Sequence, residues 1–282
     1  MVINKGVALT EAQAKATYTW TGIYQNGKPV FKIPTCSVIS LDSAFAHKKL
    51  CEGPTFTLGF ACHFTCLFCY VLSTLNRHSA ILRILKETGL TFDQITIEKD
   101  DPLPVLAKEL SKRDGSPKYN DPADTRVIYS FPLVDVAANL PTAELALQAC
   151  RMILEKTHWQ IRLLSKSALL KTMALGLAEY KDRVIYGLST GTFQDKLAAS
   201  FELHTASPTA RLQTLHWLQD NGYRTFGMLC PSLPQDDYGV FADHAAQAIR
   251  VGQCEHVWAE VLNARGKSLT RTCEGLRGSG FE

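Results

Sequence analysis

Three cysteines, Cys62, Cys66 and Cys69, stand in the run L-G-F-A-C-H-F-T-C-L-F-C-Y from Leu58 to Tyr70. Their spacing, C-x-x-x-C-x-x-C, lets three thiolates converge on one small inorganic centre. Thiolates are the preferred ligands of iron–sulfur clusters and of zinc. A cluster ordinarily takes four ligands, so three local cysteines leave one iron open to an exogenous group. Two other readings use the same residues. A structural zinc needs a fourth ligand, which His63 or a distant cysteine could supply. Three buried cysteines can also be plain core residues. The cluster reading is favoured because the run follows directly on an apolar, strand-like segment, which puts it on a loop at that strand's carboxyl end. His63 is then a loop residue with no ligand role.

The elements that must hold this loop follow from the patterning. Six strand candidates appear at Thr55–Phe60, Arg126–Phe131, Gln160–Ser165, Arg183–Ser189, Thr225–Cys230 and His256–Leu262. Several are nearly continuous apolar runs, as parallel strands covered on both faces require. Helical periodicity fills the gaps. Leu145, Ala149, Met152 and Ile153 share one face, with Pro141 in the first turn. Ser207 reads as an N-cap before Pro208, with Gly222 past the end of that helix. Phe241, Ala245, Ala248 and Ile249 make a third stripe, and a last helix starts at Ser268. Strand–helix alternation predicts an α/β fold. Six units are too few for a closed eight-stranded barrel. They leave an open doubly wound sheet or a partial barrel, and in both the ligands sit beyond the carboxyl ends of the strands. Residues 1–54 form a separate lead-in. There Tyr18–Tyr24 and Val30–Ile33 flank Asn26-Gly27, a dipeptide suited to a tight hairpin turn. The stretch Pro102–Asp124, rich in Pro, Asp and Lys, reads as a surface insertion.

The 30 basic and 27 acidic residues of the 282 leave a charge too small to argue for nucleic acid or against it. Nine cysteines scattered in apolar runs, behind an N-terminus with no apolar signal region, point to a reducing cytoplasm and not to a disulfide scaffold. The apolar stretches, such as Ala168–Ala178 with Lys171 inside it, are too short for a membrane span.

The cysteine motif resembles the signature of the radical S-adenosylmethionine (SAM) superfamily, and the segment from about Thr55 to Gly266 is most similar to the spore photoproduct lyase, or DNA-repair-photolyase-like, family. Four further segments carry the likeness: Ile95–Leu110; L-L-S-K-S-A-L-L at Leu163–Leu170; L-S-T-G-T at Leu188–Thr192 with Glu202, Pro208 and Arg211; and A-E-V-L-N-A-R-G at Ala259–Gly266 with Glu260, Asn263, Arg265 and Gly266. The resemblance implies a partial (βα)6 TIM-type barrel over residues 55–282, with a short N-terminal β-hairpin extension over 1–54. It implies a 4Fe–4S cluster on Cys62, Cys66 and Cys69, with SAM chelating the fourth iron. One electron from the cluster then cleaves SAM to methionine and a 5′-deoxyadenosyl radical, which takes hydrogen from a substrate. An electron donor of the flavodoxin or ferredoxin kind and a nucleic-acid substrate are implied on the same grounds.

The same resemblance suggests the cofactor contacts. Lys166, at the end of the third strand, would meet the SAM carboxylate. Ser130 and Ser189, ending the second and fourth strands, would bond the SAM amino group and ribose. Tyr70 would lie near adenine, on the side shaped by Pro231, Ser232 and Pro234. Each has an ordinary alternative: a surface lysine, two helix caps, a core tyrosine and a turn. Asp135, Glu260 and Asn263 would face substrate, cap, or pair with Arg265, while Lys48-Lys49 and Lys112-Arg113 read as solvated surface. No catalytic residue is assigned. Two positions depart from the family: Phe68 replaces a tyrosine between the last two cysteines, and Tyr129 stands where the lyase carries its hydrogen-donating cysteine. Two functions of other classes fit the cysteines as well: an iron–sulfur electron carrier or sensor, and a zinc-stabilised nucleic-acid-binding module.

Overall fold

The computed structural model describes residues 18–75 and 78–280. The hairpin forms as the sequence requires, with β1 (Thr19–Gln25) and β2 (Lys28–Pro34) paired antiparallel. Asn26 and Gly27 both take positive φ, 48° and 74°, the turn whose twist matches that of the flanking strands. The free edge of β2 is not left bare. It pairs in parallel with β6 (Thr96–Asp100), and β6 pairs antiparallel with β5 (Gly59–Ala61). The lead-in hairpin is thereby hydrogen-bonded into a four-stranded sheet, β1-β2-β6-β5, with the strand that runs into the cysteine loop.

The second sheet carries the alternation. Its strands β4 (Thr55–Phe56), β7 (Val127–Ser130), β8 (Gln160–Ser165), β9 (Val184–Ser189), β10 (Arg224–Ser232) and β11 (Val257–Val261) are parallel neighbours in chain order. The short antiparallel strand β3 (Ile39–Ser40) covers the β4 edge. The order never reverses, so the switch point of a doubly wound sheet is absent among the described residues.

The first expected strand, Thr55–Phe60, is split. Only Thr55 and Phe56 belong to the large sheet; the chain then crosses to the small one at Gly59, where a Cβ would stand 3.0 Å from the Ile97 carbonyl oxygen. This backbone contact explains the glycine.

The helices are α1 (Val71–Thr74), α2 (Ser79–Thr88), α3 (Pro102–Glu109), α4 (Leu140–Lys156), α5 (Leu170–Gly176), α6 (Asp195–Phe201), α7 (Pro208–Asp220), α8 (Tyr238–Ala248) and α9 (Ser268–Leu276). Asn139 caps α4, accepting from the Thr142 N–H at 2.8 Å, and Ser207 caps α7, accepting from Ala210 at 3.2 Å. Helix α3 corrects the reading of Pro102–Asp124 as a surface insertion. Pro102 sits in its first turn, where a missing N–H costs nothing, and Leu106 and Leu110 are fully buried.

One face of the large sheet packs Ile128, Ile161, Leu163, Val184, Tyr186 and Leu188 against α4, α5 and α7. The other face presents Tyr129, Leu164 and Trp258, and the segment Phe45–Cys51 closes over it. Arg162 pins that segment. It is 4% exposed, donates to the Leu50 carbonyl at 2.6 Å, and lies 4.9 Å from the Trp258 ring. No described helix is long and apolar enough to cross a membrane.

Candidate active site at the strand carboxyl ends

The cysteine loop leaves β5 and is tied down before it reaches α1. Thr65 turns it through a left-handed residue (φ 55°). Cys66 bridges to Glu202, the Leu67 N–H donates to the Phe201 carbonyl at 2.9 Å, and the His204 N–H donates to the Phe64 carbonyl at 3.1 Å. Cys62, Cys66 and Cys69 line one pocket, together with Lys28, Asp93 and Arg271 among others. All nine cysteines carry thiols. Burial pushes the Cys62 thiol up to about 11, with Cys69 and Asp135 adding to the shift. Burial also raises Cys66 well above its ordinary value, and Glu202 adds to that. Such thiols ionise at neutral pH only against compensating positive charge, which a metal centre provides. Among the described residues, no three His, Cys, Asp or Glu side chains converge on a point where one metal ion would sit.

The strand-end residues meet a second cluster of charge. Lys166 follows β8, and its Nζ donates to Ser189 Oγ and to the Cys230 carbonyl, both at 3.0 Å. It is also ion-paired with Glu202 Oε1 at 2.8 Å, and lies 5.3 Å from the Phe68 ring. Glu202 holds Arg211 with its other oxygen. Arg211 is fully buried and donates further to Ala206, Ser189 and Thr205. Burial alone would raise the Glu202 carboxyl, but the two cations and their hydrogen bonds outweigh it and hold the group below the usual range. The network that joins Glu202 and Arg211 to Lys166 was not legible in the sequence; the only signal was that Glu202 and Arg211 follow the L-S-T-G-T segment in the family resemblance.

Ser130 ends β7. It is 1% exposed, and its hydroxyl has no hydrogen-bond partner among the described residues. Ser189 is satisfied, donating to the Cys230 carbonyl at 3.0 Å. The Tyr70 hydroxyl donates to the Pro132 carbonyl at 2.6 Å, and burial raises its pKa. Ser232 donates to the Leu229 carbonyl at 3.1 Å.

Several polar residues turn out to be braces. Asp135 accepts from Ser165 Oγ and the Lys166 N–H, both at 2.7 Å, and from the Ala137 N–H at 2.9 Å. Burial raises its carboxyl, and those bonds pull it back. Glu260 pairs with Lys48 at 3.0 Å, so Lys48 is an ion-pair partner and not simply solvated. Asn263 accepts from the Arg265 N–H at 3.2 Å. His63 is buried, with Asn139 Nδ2 3.5 Å from its Nδ1. Tyr129 is buried and stacks on Phe45 at 5.4 Å between ring centroids.

Lys28 was missed by the sequence reading. It is 8% exposed beside the cysteines, and burial lowers its ammonium pKa while Cys62 and Asp93 oppose that shift. A lone lysine at a hairpin turn gives no signal of burial, because the residues that gather round it, the three cysteines, Asp93 and Arg271, lie far away in sequence.

No family model and no curated protein matches the chain. Solved structures do, and they define a mixed α/β fold. A substituted spore photoproduct lyase superposes with a TM-score of 0.59 at 12% identity, covering 88% of this chain and 66% of that one. Another variant, with bound AdoMet and dinucleoside spore photoproduct, gives a TM-score of 0.55 at 12% identity, covering 80% and 61%. A spore photoproduct lyase complexed with the dinucleoside spore photoproduct gives 0.52 at 13% identity, covering 78% and 60%. The likeness to spore photoproduct lyase expected from the motifs is therefore met, as a likeness of fold. The chain spans between three fifths and two thirds of the length of these structures.

Proposed function

We propose that this chain is a radical SAM enzyme, with a 4Fe–4S cluster on Cys62, Cys66 and Cys69 and SAM held beside it at the carboxyl ends of β7, β8 and β9. One observation carries the reading: the three spaced cysteines share one pocket, and at the carboxyl end of β7 the buried hydroxyl of Ser130 is left without a partner among the described residues. A buried hydroxyl without a partner is costly, and a ligand amino group would satisfy it. The donor set, three cysteines in one pocket with no other cysteine or histidine lining it among the described residues, suits a four-iron core with one iron left open. The in-order parallel sheet supports a partial (βα)6 barrel over residues 55–282, with 1–54 as its extension.

Bound together, cluster and SAM supply one-electron reductive cleavage of SAM and hydrogen abstraction from a substrate. The residues of the chain do the rest. Ser130 offers its oxygen to the SAM amino group. Lys166, already neutralised by Glu202, holds Ser189 and the end of β10 in register, and would exchange one of these partners for the SAM carboxylate. Tyr70, fixed through its hydroxyl, walls the adenine side. Phe45–Cys51 closes the sheet face and keeps water from the reacting centre.

The reductant is a flavodoxin- or ferredoxin-class protein, and the setting is cytoplasmic. Nucleic acid is the candidate substrate class, because the solved relatives carry a dinucleoside photoproduct. Tyr129, buried under Phe45 where the lyase family has its hydrogen-donating cysteine, argues against the lyase's own repair reaction. Iron and acid-labile sulfide analysis after anaerobic reconstitution tests the assignment. Each cysteine-to-alanine variant should lose the cluster, and full iron and sulfide in all three variants would refute it.

A further inference from the structure

The pocket of the three cysteines holds more positive than negative charge. The ammonium of Lys28, at the first position of β2, makes no hydrogen bond or ion pair with any described residue. Arg271, from α9, lines the same pocket. It pairs with Asp93 at 3.4 Å, and its Nη1 is buried without a partner. Asp93 is the only carboxylate among the pocket's described lining residues, so two cations share one anion there. A largely buried ammonium with no hydrogen-bonded or ion-paired partner favours an anion beside it. Three thiolates around a four-iron core form an anion, and an added electron makes it more negative.

Ser130, Lys166 and Ser189 do not line this pocket. Lys28 and Arg271 therefore meet the cysteines from a wall other than the one where the strand ends gather. Their elements lie far apart in sequence: the hairpin that β6 ties into the small sheet, and the helix after the last parallel strand.

Resting on the cluster assignment above, we infer that Lys28, backed by Arg271, is the counter-charge of the cluster. It is a positioning residue that eases one-electron reduction by holding a fixed cation against the incoming charge. The small N-terminal sheet then has a role in the chemistry: it carries this cation to the cysteines.

The test compares wild type, Lys28→Met and Lys28→Arg, each reconstituted anaerobically and titrated with dithionite while the reduced cluster is followed by electron paramagnetic resonance. One electron passes from dithionite to each cluster. Loss of the charge in Lys28→Met should lower the equilibrium constant for reduction about tenfold, which is about 59 mV for a one-electron couple. Lys28→Arg should stay within about twofold of wild type, because it keeps the charge. Failure of Lys28→Met to hold a cluster that Lys28→Arg retains supports the inference in stronger form. An unchanged midpoint in Lys28→Met overturns it, as does cluster loss in both variants, which would make the side chain a matter of shape. A drop in SAM affinity at unchanged midpoint also overturns it, and would make Lys28 a SAM contact instead. Wild-type protein that takes up no iron and sulfide refutes the cluster assignment itself, a result separate from all of these.

Discussion

Glu202→Gln removes the negative charge from a buried site and leaves the shape unchanged. Glu202 and Arg211 are each about 1% exposed at the side chain, and Lys166 is 13% exposed. At 2.8 Å the Lys166–Glu202 pair gains about 6 kcal/mol of gross attraction at an effective dielectric of ~20. Desolvation cancels much of that in the intact network, but the variant keeps the desolvation cost of two cations and loses their shared anion. Breaking a buried pair in this way costs about 3–5 kcal/mol, a large part of the roughly 5–15 kcal/mol that holds a domain folded. With a urea slope of about 3 kcal/mol/M, the unfolding midpoint of the apoprotein should fall by about 1 to 2 M. Circular dichroism of the apoprotein in urea measures it. The double variant Lys166→Met/Glu202→Gln should recover part of the loss, since one orphaned cation is gone. A Glu202→Gln midpoint within about 0.2 M of wild type, about 0.5 kcal/mol, would show that Glu202 does not hold the strand ends together.

Burial lowers the Lys99 ammonium from 10.5 to about 8. The unfolded chain therefore binds more protons between those values, so stability rises with pH across that window, by up to about 3 kcal/mol at 1.36 kcal/mol per pH unit. The rise should be absent in Lys99→Met, and equal pH profiles of the two apoproteins between pH 7 and 10.5 would contradict it. Ser130→Ala removes a hydroxyl that has no partner among the described residues, so apoprotein stability should change by less than about 0.5 kcal/mol, while SAM affinity of the reconstituted protein falls about two- to tenfold. Calorimetric titration with SAM decides it, and unchanged affinity would remove Ser130 from the site.

What could be read from the chain was local. The Asn26-Gly27 turn, the Ser207 cap and the strand Gln160–Ser165 depend on near neighbours, and each stands where the pattern put it. What could not be read depends on distant pairing. Thr96-Ile97-Glu98-Lys99-Asp100 carries too much charge to look like an inner strand. It is one because β2 and β5 flank it and Lys99 finds a carbonyl in Ser37. Pro102 looked like a loop residue and opens a helix whose Leu106 and Leu110 reach the core. At the site, the cysteines declared themselves by spacing. Lys166 was located by its motif, but its partner Glu202 comes from the far end of α6, and no local pattern joins the two. Lys28 and Arg271 meet only because β2 and α9, far apart in sequence, both reach the cysteine loop.

A SAM-cleaving centre at the three cysteines and the strand ends beside them would show itself most directly in reductive cleavage of SAM. Anaerobically reconstituted protein, reduced with dithionite and given SAM, should release methionine and 5′-deoxyadenosine, slowly without substrate, and the Cys62→Ala, Cys66→Ala and Cys69→Ala variants should release none. Methylthioadenosine in place of 5′-deoxyadenosine, or no cleavage by a protein holding its full iron and sulfide, would contradict it.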